Sequence, residues 1–256
     1  MKIIGQKIIH YDSVTSTNDI LKEEPFADED EGIVVRAAEQ TKGRGRHGNN
    51  WYSAKGLGLY FSVLLRPRID PALLGLLSLF PAIAVARALI DLCRERAFVK
   101  WPNDVLMCGR KVAGILCEAK SQGGGIKSLI IGIGVNLYHT IEDFPPDLRN
   151  SAGSVLICTN RIVDDQALLR KILGQLNTLY QKNIKPGKLN AIVTDWNALC
   201  GHLNRDVRIA SERKTISGRF LGIDHTGAAI IRTKEEKIVH LAYGEFTLRS
   251  ENVIGN

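Results

Sequence analysis

The sequence predicts an α/β (α+β) fold: a mixed-sheet domain over residues 1–200 followed by a small all-β domain over residues 201–256. Three observations carry that prediction. Strand-length apolar runs alternate with helix-like segments through the first 140 residues, and one apolar stretch, 71–94, is of helical length. After Gly201 the pattern changes to short strands parted by turn residues, the size of an SH3-like barrel.

Taken in order, Ile3–Tyr11 reads as a strand and Ser16 to about Glu24 as a short helix, which a Thr15 or Ser16 hydroxyl would cap. Ile33–Ala37 reads as a strand, Gln40–Asn50 as a glycine-rich polar loop and Leu59–Leu65 as a strand. The stretch from about Pro71 to Arg94 is a helix buried on a sheet; its run Ala72–Ala86 holds Gly75, Ser78 and Pro81 and is shorter than the ~20 residues a bilayer needs. Four strands follow, Phe98–Trp101, Val105–Met107, Val112–Ala119 and Ser128–Val135, with turns at Gly109-Arg110 and Gly123-Gly124-Gly125. Residues 138–163 are irregular. Asp165–Lys182 is a helix with an apolar stripe at Leu168, Leu169, Ile172, Leu176 and Leu179, and Lys188–Leu199 is a second. The β-module comprises Val207–Ala210, Thr215–Ile223, Ala228–Arg232, Ile238–Leu241 and Phe246–Arg249, with a turn at Asp224–Gly227.

Composition narrows the function. The 256 residues are 45% hydrophobic with charges interspersed, which fits a globular chain. Five scattered cysteines and six scattered histidines show no CxxC or zinc spacing, so reduced thiols and a cytoplasmic location are expected. The start Met1-Lys2-Ile3-Ile4-Gly5 lacks the core and cleavage site of a signal peptide. A net charge of +7 invites nucleic acid. The basic residues are interspersed with acidic ones, however, and no zinc-finger, basic-zipper or RNP signature is present. No helix-turn-helix fits before Ser16.

Four clusters carry chemistry. Lys42-Gly43-Arg44-Gly45-Arg46-His47-Gly48 matches GxGxxG, yet no helix opens after it as a dinucleotide fold requires. Its glycines let backbone close around a ligand, while Arg44 and Arg46 offer planar donors to carboxylate or phosphate. Lys100-Trp101-Pro102-Asn103-Asp104 follows a strand, and its charged and amide groups suit ATP and magnesium. Lys111 opens a strand whose Ala113 and Gly114 leave room for a flat ligand. Gly132-Ile133-Gly134-Val135-Asn136 is an apolar strand ending in an amide. Alone, the first is equally a surface loop and the second equally a packing turn, while a solvated lysine and a capped strand are the better readings of the third and fourth.

In this order, preceded by Ser16-Thr17-Asn18 and Gln40 and with Trp51 after the loop, these motifs resemble the catalytic core of biotin–protein ligases from about Asp12 to Asn136. Gly244-Glu245-Phe246-Thr247-Leu248-Arg249 resembles that family's last strand. The resemblance implies a class II synthetase-like α/β core with an SH3-like β-barrel at its C-terminus, and the activity of a biotin–[acetyl-CoA-carboxylase] ligase. Such an enzyme forms biotinyl-5′-adenylate from biotin and ATP, then transfers biotin to a lysine of a biotin carboxyl carrier protein or domain.

Carried over by position, biotin would meet Ser16, Thr17, Asn18, Gln40, Gly43, Arg44, Gly45, Arg46, Trp51, Lys111, Gly114 and Leu116. ATP would meet Arg46, Trp51, Lys100, Asn103, Asp104, Lys111 and Asn136. Lys111, Arg46 and Asp104 would be catalytic, with Asp104 the Mg2+ ligand. No side-chain nucleophile is needed, because the biotin carboxylate itself attacks the α-phosphate.

One family position departs: where some members stack a tryptophan on adenine, this chain has Leu241. Without a DNA-binding domain before Ser16, operon repression is not implied. The family also implies a possible homodimer, but neither nucleic-acid nor membrane binding. The alternatives are a lipoate–protein ligase of the same fold, disfavoured by GRGRHG and KWPND, and a non-catalytic biotin or adenylate sensor, disfavoured by the presence of Lys111 and Asp104.

Overall fold

Alternation of apolar and small or polar residues along the central strands determines which sheet face is covered. The computed structural model describes residues 3–249 apart from 24, 25, 27, 28, 212, 213 and 245. The expected helix end at Glu24, the Met1-Lys2 start and Glu245 therefore lie outside the described residues.

Seven strands form the main sheet: β1 (Ile8–Val14), β2 (Val34–Gln40), β3 (Gly58–Leu65), β4 (Ala97–Lys100), β5 (Asp104–Met107), β6 (Arg110–Gln122) and β7 (Gly125–Asn136). Their order is β1-β2-β3-β7-β6-β5-β4, with β1 parallel to β2 and every other pair antiparallel. Phe61, Val63, Ala113, Ile115, Ile131, Ile133 and Val135 point into the principal core, where α2 (Leu74–Cys93) lies. The short helix α1 (Thr17–Ile20) lies against β2, β3 and β7, and α3 (Val155–Thr159) bonds to Leu137 and to the end of β5 at Met107. The longer α4 (Asp165–Leu179) and α5 (Asn190–Leu199) pack on α2.

Helix α2, with a 3-10 turn at Pro71–Leu73, is long and apolar enough to cross a membrane, yet Leu76–Ala86 are all buried inside the protein. Arg94 ends it in a left-handed conformation. The five stripe residues of α4 are buried as expected, and the helix continues as a π turn over Tyr180–Ile184.

The second sheet is antiparallel, in the order β11-β10-β9-β8-β12, from β8 (Asp206–Ala210), β9 (Thr215–Ile223), β10 (Ala229–Thr233), β11 (Ile238–Leu241) and β12 (Thr247–Arg249). Its hydrophobic side joins the same core as the main sheet. The Asp224 carboxylate shapes the 224–227 turn by accepting from Thr226 and Ala228 amides at 2.8 and 3.1 Å. Gly227 in that turn rests on the start of α2, where an added Cβ would meet the Leu76 nitrogen at 2.7 Å. The Trp101 indole donates to the Gly227 carbonyl at 3.2 Å.

Four local expectations are corrected. The first strand begins at Ile8, not Ile3, because Gly5 turns the chain at φ 81° and the Ile3 and Ile4 amides bond to the Asn177 side chain. Ser16 takes the cap position of α1 by backbone only; its hydroxyl makes no capping bond. The β5–β6 turn is centred on Cys108-Gly109, both at positive φ, rather than on Gly109-Arg110. Reduced cysteines throughout were expected, but Cys108 and Cys158 form a disulfide, brought together when the loop before α3 returns to that turn.

Candidate active site

The sheet face opposite α2 is made of the alternate residues, and here they are small. Ser62 on β3, Gly132 and Gly134 on β7 and Gly114 on β6 leave a floor of bare backbone. Two side chains use it. An added Cβ at Gly132 would meet the Asn18 amide oxygen at 2.3 Å, and one at Gly134 would meet the Trp51 indole nitrogen at 2.2 Å. A Cβ at Gly114 would touch the same indole at 2.8 Å. Glycine is required wherever an aromatic plane lies on the backbone.

A polar wall rises from the start of α1. The Gln40 amide oxygen accepts from the Thr17 backbone and hydroxyl at 2.9 and 3.1 Å, while its nitrogen donates to Ser53 at 2.9 Å. Asn18, itself buried, accepts from the Ser62 hydroxyl at 2.5 Å and donates to Glu118 at 2.8 Å. Those two bonds fix the orientation of its amide. Glu118 also meets Lys22 at 2.8 Å and Arg44 at 2.6 Å, and Arg44 reaches Asp19 at 2.7 Å. Burial pushes the Glu118 carboxyl up, but hydrogen bonds from Lys22 and Asn18 and the charges of Lys22 and Arg44 outweigh it, leaving it below the usual carboxylate range.

Cations gather at the other end. Lys111 Nζ lies 2.6 Å from Asp104 and 5.3 Å from the Trp51 ring centroid. The Lys111 backbone is paired with the loop before α3, donating to the Ser151 carbonyl and accepting from the Gly153 amide, both at 2.9 Å. Lys100 is next to this pair: burial lowers its ammonium pKa, Asp104 opposes that and Lys111 adds to it. Burial likewise draws the Arg46 guanidinium down, against the opposing influence of Tyr243 and Asp104. Asn103 and Asn136 are already engaged, donating to the Ile115 carbonyl at 2.6 Å and to the Gly153 carbonyl at 2.9 Å.

One cavity of about 160 Å³ brings together Ser16, Thr17, Asn18, Gln40, Arg44, Gly45, Arg46, Trp51, Asn103, Asp104, Lys111, Gly114 and Leu116. Gly43, Lys100 and Asn136 line the broader groove of about 2050 Å³ into which it opens. Every residue expected from the motifs thus borders one continuous space. Leu241 does not: it is buried in the core of the β-module. The neighbouring aromatic, Tyr243, has the Arg46 guanidinium 5.1 Å over its ring.

Sequence reasoning gave no role to Glu118, Asp19, Ser62, Tyr243 or Thr247. Glu118 closes the Arg110–Glu118 stretch around Lys111, so its position was a usable signal; Tyr243 lies 197 residues from Arg46 and gave none.

Among the described residues, Asp104 is the sole carboxylate lining the inner cavity, and no cluster of three or more metal-ligating side chains occurs. That donor set suits a magnesium ion carried by nucleotide phosphates and touched by one carboxylate, and does not suit a resident metal cage.

Known proteins are similar to this chain in sequence and in fold. The biotin/lipoate A/B protein ligase family model matches residues 11–136, and a biotin protein ligase C-terminal domain model matches 202–249. The chain is 31% identical to the bifunctional ligase/repressor BirA of Bacillus subtilis over 91% of its own length and 72% of that protein. It is 33% identical to a biotin–[acetyl-CoA-carboxylase] ligase of Paracoccus denitrificans, over 77% of this chain and 83% of that one. The solved biotin protein ligase of Aquifex aeolicus in complex with biotin and ATP superposes with a TM-score of 0.83 at 30% identity, over 96% of this chain and 100% of that one. By sequence and by the two-sheet architecture, this chain belongs to the biotin/lipoate A/B protein ligase family.

Proposed function

We propose that this chain is an ATP-dependent biotin–protein ligase, which forms biotinyl-5′-adenylate and passes the biotinyl group to a lysine of a biotin carboxyl carrier domain. The observation that carries the reading is the single cavity with a neutral, hydrogen-bonding wall at Ser16–Asn18 and Gln40 and cations Lys111 and Arg46 at its other end. A ureido ring suits the neutral end; a carboxylate meeting a triphosphate needs the cationic one.

The roles follow from charge. When the biotin carboxylate attacks the α-phosphorus, pyrophosphate leaves and the five-coordinate transition state concentrates negative charge. Lys111 is set to bridge the carboxylate and the α-phosphate, and Arg46 to hold the phosphate of the adenylate. Trp51, already lying on Gly114 and Gly134, would cover the biotin side chain, while Gly43, Arg44, Gly45 and Leu116 shape the pocket. Lys100, Asn103, Asp104 and Asn136 would face the nucleotide. Magnesium, touched by Asp104, would neutralise charge on its phosphates.

The catalytic and β-domains divide at residues 200 and 201 in this reading, and the enzyme works in the cytoplasm. Pairing of two copies along β1, where Ile8 is 45% exposed, is part of the same proposal, and sedimentation of the purified chain tests it.

ATP–pyrophosphate exchange tests the first half-reaction without an acceptor. Biotin should support exchange and lipoate should not at comparable concentration. Exchange with lipoate alone would overturn the assignment.

A further inference from the structure

Arg46 is the cation to which the preceding reading gives the adenylate phosphate, yet little of its own glycine-rich loop holds it. Its Nη2 contacts His47 at 3.2 Å and the charge of Asp104 acts on it, while the β-module supplies the Tyr243 ring, with its centroid 5.1 Å from the guanidinium carbon, and the Phe246 carbonyl at 3.4 Å. Tyr243 in turn is wedged in place. Its Cβ lies where Gly75 of α2 leaves room, since a Cβ at Gly75 would approach it to 3.0 Å. Burial beside Cys117 pushes its phenol up to about 12, so the ring is neutral. A fixed neutral aromatic face opposite a guanidinium attracts it through the ring quadrupole, more strongly as water is excluded.

We propose that Tyr243 is a positioning residue for ligation: its ring face seats Arg46, so that the β-module governs how tightly the adenylate is retained. This rests on the reading of Arg46 as the phosphate-holding residue. The ring is not part of the lining of the cavity or of the broader groove. It orders a side chain on a mobile type of loop, and the entropy of ordering Arg46 is met before the ligand arrives.

The test measures release of biotinyl-adenylate from the full-length enzyme by rapid filtration, in the parent, Tyr243→Leu, Tyr243→Phe, Arg46→Ala and the double variant Tyr243→Leu/Arg46→Ala, with thermal unfolding as the fold control. Tyr243→Leu should speed release on the order of tenfold, Tyr243→Phe should stay near the parent, and Tyr243→Leu should add nothing once Arg46 is gone. Replacing Tyr243 by phenylalanine analogues carrying one to three fluorines keeps the shape while draining the ring face of electron density. Release should quicken with each fluorine, a trend that simple packing does not produce, so the series decides the matter even where leucine unfolds the module. Flat release across the fluorine series, or an undiminished leucine effect without Arg46, overturns the role of Tyr243 alone. Parental release by Arg46→Ala overturns the phosphate reading of Arg46 and the seat with it.

Discussion

Lys111 reaches the cavity already paired. Its ammonium sits 2.6 Å from Asp104 and over the Trp51 ring, so its charge is held in place rather than swinging in solvent. Lys111→Ala should slow single-turnover adenylate formation by ~10²–10³-fold, about 2.7–4 kcal/mol, as loss of one transition-state contact does. Lys111→Arg should rescue only partly, because the broader guanidinium places its charge elsewhere. Circular dichroism of the alanine variant should match the parent; a folded variant with near-parental adenylation would exclude Lys111 as the key cation. Both residues were legible from their motifs. Their pairing was not, because it depends on the irregular register between β5 and β6 at Val105/Leu106. The partners of Arg44 were equally hidden, since Asp19 and Glu118 reach it from distant parts of the chain.

Among elements, the 41–50 loop is anchored at its entry and exit and folds back on itself between them. Thr41 bonds to Val14 and Lys42 to Thr15 at the entry and Trp51 to Gly43 at the exit, while Gly45 bonds to Asn49 and Asn49 to Arg46 within the loop. Ordering several glycines is costly in entropy, so the loop should tighten only around ligand. Hydrogen exchange across residues 41–50 should fall on adding biotin with ATP; unchanged protection would count against a closing role. The floor makes a second prediction. Gly134→Ala drives a methyl into the Trp51 indole. Biotin affinity measured by calorimetry should drop roughly tenfold, the scale of an overpacking defect, with the sheet intact. The floor could be read in advance from the alternation in Gly-Ile-Gly-Val-Asn, and α2 from its length of apolar residues. The first strand was displaced because a long-range bond to Asn177 outweighed local propensity, which no window of sequence contains.

At the scale of the molecule, two histidines tie stability to pH. His139 stacks on Phe144, and His202 is enclosed by Trp196 and Phe220. Burial lowers their pKa values to about 4 and about 3. In the unfolded chain both would take up a proton near pH 6.5, whereas the folded protein keeps them neutral. Stability is therefore whole above that pH and drains away as pH falls toward 4, by up to about 1.4 kcal/mol per pH unit for each ring. Urea titrations from pH 7.5 to 4.5 should show this slope, and His202→Phe should flatten it; an equal slope in that variant would assign the acid sensitivity to other groups. The overall two-sheet plan was readable from the changing spacing of apolar residues. The bridge between Cys108 and Cys158 was not, because 50 residues separate them and only the returning loop before α3 makes them neighbours. The bond from the Trp101 indole to Gly227 bears on protein engineering. One residue of a five-residue signature motif is given over to joining one lobe to the other, so a gene cut at residue 200 would yield a first fragment with an unquenched indole N–H and a naked helix start at Gly75 and Leu76. A split-enzyme reporter built from this chain would therefore need its two halves co-expressed, and its background signal should be set by how avidly the tryptophan and its glycine find each other again.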